Sequence, residues 1–448
     1  MSGGLAKPPT ERIPFPHPAY SWYVVALLML AYIVSYADRT ILSLLIEPIK
    51  ADLKLSDVQI SLLLGPAFGI FYTTLGLPLG WLSDRRSRRG IIAAGITLWC
   101  AMTAASGLAR NFIQLFLARI GVGVGEATLS PAALSLISDY FPRDKALRAI
   151  GFYFMAQSLG GGLAYLVGGQ VVVSVAAAST ILVPLLGELK AWQVTFLVVG
   201  APGLLLALFM LTVKEPVRRG HAGAAGAMPV REVISFLRAR WRAYGALFVG
   251  NAAVTIQGYA YFWLPVLFER RWGWDVGTFG LYFGILLAVC GVGGILAGSH
   301  LSAVLYRRGY LDAPFRTTLL GLMITIPSAT LMPLMPSGEW ALALLVPAMA
   351  SVAIASASGA AAVVHIAPAE LRAQASAGYF LVVNVLGLFL GPTSVAVLTD
   401  YVFKSEQAIH LSMAVVPGVL ESICLLVLLT GLTAYRRCAT EADAWHEP

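Results

Sequence analysis

Twelve apolar runs, each about 20 residues long, leave this chain few ways to fold. In hydrocarbon every backbone N–H and C=O must be bonded within its own segment, so such runs are helices and the chain is expected to be an all-α membrane protein. They can be drawn at roughly 21–46, 58–83, 91–109, 112–140, 147–173, 193–212, 243–268, 276–303, 316–335, 340–364, 373–400 and 408–435. With 58% hydrophobic and 12% charged residues, no sizeable soluble domain is left over. The polar stretch Met1 to Tyr20 precedes a run longer than a signal-peptide core and without a small-residue cleavage site, so the first span is expected to be retained.

An even number of spans puts both termini on one side. Sorted between the two sets of loops and the span ends beside them, 22 Lys and Arg fall on the terminus side and 7 on the other. The positive-inside rule then makes both termini cytoplasmic, in an inner or plasma membrane. The net charge of +8 follows the bilayer in this way, which argues against nucleic acid as its partner. The basic stretch from Val213 to Arg242 divides the chain into a six-helix bundle, 1–213, a cytoplasmic linker, 214–242, and a second six-helix bundle, 243–448. Within the linker Val230, Val233, Ile234, Leu237 and Trp241 recur at helical spacing opposite arginines, as in a short helix lying on the membrane surface; a solvated linker is the alternative. Cys100, Cys290, Cys424 and Cys438 are scattered and form no CxxC, and no GxSxG, HExxH or P-loop occurs. No disulfide, metal, cofactor or enzymatic activity is expected.

The fourth run carries two charges, Arg119 and Glu126, around Gly121, Gly123 and Gly125. Either charge in lipid costs about 3 kcal/mol, so both should face protein or water. Seven residues at 3.6 per turn bring them to one helix face about 10 Å apart. In the first run Asp38 and Arg39 are also deep, with Asp38 at a depth similar to that of Arg119. On an ideal helix Arg39 lies 100° round from Asp38, and is expected to face a different neighbour or an outer rim.

Two sets of six helices joined by a basic loop are the architecture of many secondary transporters. Between runs two and three, Gly80, Asp84, Arg85, Arg88 and Arg89 resemble the signature of the major facilitator superfamily, with Ser87 in place of a glycine. The resemblance implies a gate in which the aspartate and the arginines hold one conformation, although four arginines also serve orientation. Gly387, Gly391 and Pro392 in run eleven, and Gly160 to Gly162 in run five, are hinges or close-packing positions. The Asp38–Arg39 pair, the run from Arg119 through Glu126 and the loop after it resemble the spinster branch, most strongly from Ser35 to Gly162. That branch is known for exporters of sphingosine-1-phosphate and lysophospholipids, some proton-dependent, and the resemblance implies coupling and substrate roles for Asp38, Arg119 and Glu126. In the superfamily's arrangement spans one, four, seven and ten line a central cavity, so an Asp38 to Arg119 pair across it is expected. Two carboxylates competing for one arginine would make a protonation switch, with an anionic head against Arg119.

The cavity-candidate spans of the second half offer no acid or base near the midplane. Asn251, Gln257, Tyr259, Tyr261, Trp263, Ser356, Ser358, Phe380 and Asn384 are its cavity candidates, as a bed for an apolar tail; each alone could equally be packing or interface belt. Glu421 in run twelve is expected to be peripheral, and His300 and His365 to sit near water at span ends. The function expected is proton-coupled transport of a lipid-like anion by a monomer, with export of drugs or small organic anions as the alternative. A transporter-derived sensor or a lipid-acting enzyme is the remaining choice.

Overall fold

A computed structural model describes residues 14–83, 85–176, 180–184, 186–218, 230–368 and 370–443. Eleven helical segments among them are long and apolar enough to cross a membrane. In chain order these spans are one (Pro18–Leu44), two (Asp57–Gly76), three (Arg88–Ser106), four (Phe112–Tyr140), five (Arg148–Ala176), six (Ala191–Met210), eight (Val276–Arg307), nine (Ala313–Leu334), ten (Gly338–His365), eleven (Gln374–Phe403) and twelve (Glu406–Thr430). Span seven is composite: Trp241–Ala260, a 3-10 turn Tyr261–Trp263 and a second helix Leu264–Trp272. Pro265 in the first turn of that last piece has no N–H to continue the helix before it.

The fold is all-helical apart from a two-stranded antiparallel hairpin between spans five and six, Thr180–Val183 with Gly187–Lys190, which the apolar periodicity did not reveal. The linker does form a helix, Val230–Ala239, with Val233 buried and Ile234 exposed. The rest of the linker's glycine-rich run, 219–229, lies outside the described residues, as does Asp84.

Two apolar clusters follow the two halves. One stays within residues 24–213 apart from Leu388; the other runs through 243–439 and takes in, from the first half, residues 41–64 with Ala109, Leu115, Tyr165, Val172, Trp192 and Phe196. The halves are therefore joined at the end that carries the loop after span one, called here the loop end, and the opposite end carries the linker. Close backbone approach makes the joint. A Cβ on Gly65 would stand 2.0 Å from the Leu388 carbonyl oxygen, which Pro392 cannot bond because it lacks an N–H. A Cβ on Gly280 or Gly284 of span eight would meet the carbonyls of Tyr165 and Gly162 at 2.4 and 2.5 Å. Gly162 of span five and Gly387 and Gly391 of span eleven are close contacts too, where a Cβ would meet the Gly284 carbonyl at 2.6 Å, the Thr255 Cβ at 2.5 Å and the Ile256 carbonyl at 2.7 Å. Toward the linker end, Gly76 and Gly151 meet nothing described within 4 Å.

Ion pairs tell the same story. At the loop end Lys50 bonds Asp57 (2.5 Å) and Glu406 (2.7 Å), while Arg270 bonds Glu47 (2.7 Å) and Asp57 (3.0 Å), all but Lys50–Asp57 linking one half to the other. At the linker end the described pairs stay within a half, as in Arg88–Asp139 and Arg436–Asp312, or tie the linker to one half, as in Arg88–Glu215. The molecule is latched at the loop end and open toward the linker end.

Candidate functional site

Span one places Ser35, Asp38 and Arg39 on one stretch of helix, all buried. Ser35 and Arg39 are four residues apart and share a face. Both donate to the same oxygen, Glu126 Oε2, at 2.6 and 2.7 Å. The Arg39 guanidinium also lies over the rings of Phe68 (4.3 Å), Tyr72 (4.9 Å) and Tyr36 (5.1 Å), a stack that a desolvated arginine favours. Of the two expectations for Arg39, a different neighbour from that of Asp38 or an outer rim, the structure shows the first: Arg39 faces Glu126 and the Asp38 carboxylate faces Cys100. A quarter turn separates Cβ directions, but a long arginine side chain can swing through it to reach a carboxylate.

Glu126 ends the helix Phe112–Glu126, where span four breaks before Leu129–Tyr140. Pro131 lies in the first turn of the second piece and withholds an N–H from the break. The glycines between the two charges bring neighbours close: a Cβ on Gly123 would meet the Phe68 carbonyl at 2.5 Å, and one on Gly125 the Trp99 nitrogen at 2.7 Å. Arg119 is fully buried and donates through Nη1 to the Asp38 backbone carbonyl at 3.1 Å. Its guanidinium makes no described ion pair, and the Asp38 carboxylate faces Cys100 Sγ at 3.9 Å. The expected side-chain pair between Asp38 and Arg119 is thus replaced by a backbone bond. With Arg39 included, the cluster holds two cations and two carboxylates and is formally neutral, rather than two acids around one arginine. It is not saturated: Asp38 Oδ1, Arg119 Nε and Nη2, and Glu126 Oε1 have no described hydrogen-bond partner.

A cavity of ≈ 310 Å³ lies between the halves, and of this cluster only Arg39 borders it. Arg39, Thr40 and Gln157 form its polar wall in the first half; Tyr259, Phe262, Phe283, Met349 and Val352 form much of the apolar wall in the second. Of the second-half candidates, Tyr259, Tyr261, Ser356 and Asn384 line it. Asn251 does not: it is fully buried against Gly359, where a Cβ would stand 2.5 Å from the amide. Trp263 is fully buried and donates its ring N–H to the Pro392 carbonyl at 3.0 Å. Gln257 is buried toward span twelve, and Phe380, half exposed, lines a separate recess with His365 and Arg372. The missed lining residues Tyr36, Arg39, Thr40, Gln157 and Tyr165 belong to spans one and five. The spacing of Ser35 and Arg39 opposite a buried glutamate was the one signal that could have found the pair.

The signature between spans two and three is tied inside the first half. Ser87, standing in the glycine's place, caps span three by accepting from the Gly90 N–H at 3.3 Å and donates to Glu215 at 2.9 Å. Arg88, fully buried, bonds Glu215 at 2.7 Å and pairs with Asp139. Arg89 reaches the Val213 carbonyl at 2.9 Å, Arg85 lies over Trp81, and Gly80 packs on Pro131. Burial pushes the Glu215 carboxyl up, but bonds from Arg88, the Arg89 N–H and Ser87 hold it below the usual carboxylate range.

The family profile described as Major Facilitator Superfamily matches residues 28–392. An MFS-type efflux pump of Mycolicibacterium smegmatis is 26% identical over 98% of this chain and 98% of its own. The Drosophila melanogaster protein spinster is 25% identical over 69% of this chain and 50% of its own. Among solved structures, a bacterial homologue of the human lysosomal transporter spinster, inward-facing and unoccupied, superposes with a TM-score of 0.77 at 26% identity, covering 95% of this chain and 98% of that one.

Proposed function

The chain belongs to the Major Facilitator Superfamily, a family of secondary transporters and not of enzymes, and on that premise we propose that it carries an amphipathic, lipid-like anion in a proton-coupled step. The observation that carries the proposal is the cavity's asymmetry: one buried cation, Arg39, on the first-half wall and aromatic and aliphatic side chains across from it. Arg39 would take the anionic head, of lysophospholipid or sphingosine-1-phosphate type, and the second-half wall the tail. That substrate class is what the resemblance to the spinster branch implies, and proteins of that name are among the chain's relatives and structural neighbours.

Glu126 is the coupling residue in this proposal. While ionised it occupies Arg39; once protonated it frees the guanidinium for the substrate's head, so proton and anion enter together. Asp38 and Arg119 stand behind them. The Arg119 bond to the Asp38 carbonyl holds the span-one backbone that aims Arg39, and the Asp38 carboxyl is a second candidate for the proton. With the basic linker end in the cytoplasm, the open side faces inward, as in the spinster homologue. The cavity is complete within one chain, which suits a monomer.

A smaller organic anion is the second reading. Thr40, Gln157, Ser158 and Asn384 ring part of the cavity and could bond a hydroxylated acid, and the probable L-galactonate transporter of Escherichia coli is 25% identical over 91% of this chain. Proteoliposomes loaded in turn with a lysophospholipid and an aldonic acid, with and without an imposed proton gradient, decide between them. Lysophospholipid movement that the gradient accelerates and Glu126→Gln uncouples is expected. Folded protein that moves neither compound under any gradient would overturn the proposal.

A further inference from the structure

Glu421 is a buried acid that the coupling scheme above does not use. Its side chain is fully buried, and neither carboxyl oxygen has a described hydrogen-bond partner or ion-pair partner. It ends a π-helical turn, Val416–Glu421, between the helices Ile409–Val415 and Ser422–Thr430. Pro417, without an N–H, opens the ladder there, and such single π turns leave a side chain turned out of the helix's regular stagger.

Spans seven and nine pack against this turn, as does span eleven through its helix Arg372–Val397. Span nine brings Thr330, beside Gly418, and no titratable side chain. From span seven and the turn after it come Gln257 and Tyr261, four residues apart on one face. Tyr261 is close enough for its hydroxyl to feel the Glu421 charge, and so is Cys424 in the next turn of span twelve. The Gln257 and Tyr261 side chains are within interacting reach of each other, and neither Gln257 Oε1 nor the Tyr261 hydroxyl makes a geometrically formed hydrogen bond. Tyr261 in turn lines the central cavity. Three under-bonded polar groups thus run from the interior of span twelve to the cavity wall, with no cation among them.

An ionised carboxylate without a counter-cation is strongly disfavoured in such surroundings, whereas a neutral carboxyl can donate to an amide or phenol oxygen. We propose that Glu421 is a second proton site, carried by the second half and filled from the central cavity through Tyr261. In the transfer, Tyr261 passes its hydroxyl hydrogen to the Glu421 carboxylate as its oxygen takes a proton from a hydronium ion in the cavity. Two O–H bonds break, on the tyrosine and on the hydronium, and two form, on the glutamate and on the tyrosine, so the tyrosine ends neutral and the hydronium becomes water. The two halves then each hold an acid one side chain behind the wall of the same cavity, Glu126 behind Arg39 in one and Glu421 behind Tyr261 in the other. A rocking motion that changes how far water reaches Tyr261 would fill or empty the second site.

The idea rests on the proton-coupled function proposed above, and two arms keep them apart. Infrared difference spectra of the full chain in lipid nanodiscs, between acid and alkaline buffer, should show a protonated-carboxyl band that is absent in Glu421→Gln and slower to respond in Tyr261→Phe. Identical spectra for the native chain and Glu421→Gln would overturn the proposal. Should Glu421→Gln fail to fold, unchanged band kinetics in Tyr261→Phe would overturn it equally. In proteoliposomes Glu421→Gln should lower the protons moved per substrate to about half while transport continues. If Glu126→Gln uncouples transport and Glu421→Gln leaves the proton count as it was, the Glu421 site falls and the function stands. If transport shows no proton dependence in any variant but the Glu421 band titrates, the coupled function falls and the proton site stands.

Discussion

Arg39 and Arg119 lie in one cluster but perform different tasks, and substitution should separate them. Arg39→Ala would leave Glu126 buried without its cation, a loss of about 3–5 kcal/mol, visible as a large drop in thermal unfolding temperature. Arg39→Lys keeps the charge but loses the planar stack on Phe68, so it should fold and weaken anionic ligands more than zwitterionic ones in a binding titration. Arg119→Ala removes a bond to backbone instead. It should weaken both ligand types alike, by loosening span one; a selective loss of anions would move the head-group site back to Arg119. The sequence shows that charges are buried in spans one and four because charge in lipid must be accounted for. It does not show which charge faces which, because helical angle fixes Cβ and leaves a long side chain free to choose its partner.

The spans themselves are legible from apolar length alone, and the departures occur where a proline or a polar turn interrupts it. Span four breaks after Glu126, span seven is split at Tyr261–Trp263, and the hairpin 180–190 is too short to carry a period. The linker's attachment was not legible, since Glu215 lies more than a hundred residues from the arginine it binds. Glu215 accepts from Ser87, Arg88 and the Arg89 N–H, so it caps span three from outside. Its folded carboxyl sits below the usual range, so its stabilisation is present above the ordinary carboxylate pKa and lost as pH falls through the lowered one. Hydrogen exchange at the Arg89 amide, measured against its intrinsic rate at each pH, should therefore stay slow at neutral pH and quicken only in acid below the ordinary carboxylate range. In Glu215→Gln it should be fast at all pH values. The same amide staying protected in the variant would assign the capping to Ser87 alone.

At the scale of the molecule, the two states of a rocking transporter differ in which end is closed, and here the closed end is held by a small set of charges around Asp57. That carboxylate is almost fully buried and binds Lys50 of its own half and Arg270 of the other, while Val58 beside it donates to Asp400 at 2.8 Å. Glu406 also joins Lys50 but is largely exposed, so water and salt weaken its share. Asp57→Asn removes the central anion while Lys50 keeps Glu406 and Arg270 keeps Glu47. A charge-assisted bond contributes about 1.5–3 kcal/mol, and each 1.4 kcal/mol changes a population tenfold. The substitution should therefore favour the state open at the loop end by roughly tenfold or more. Spin labels placed across the loop end would report it as a second, longer distance in pulsed dipolar measurements, and Glu406→Gln should produce a smaller shift that high salt mimics in the native chain. Because transport needs both states, the Asp57 variant should lose rate without losing ligand affinity in proportion. An unchanged distance distribution would mean that the glycine contacts at Gly65, Gly280 and Gly284 hold the loop end shut by themselves.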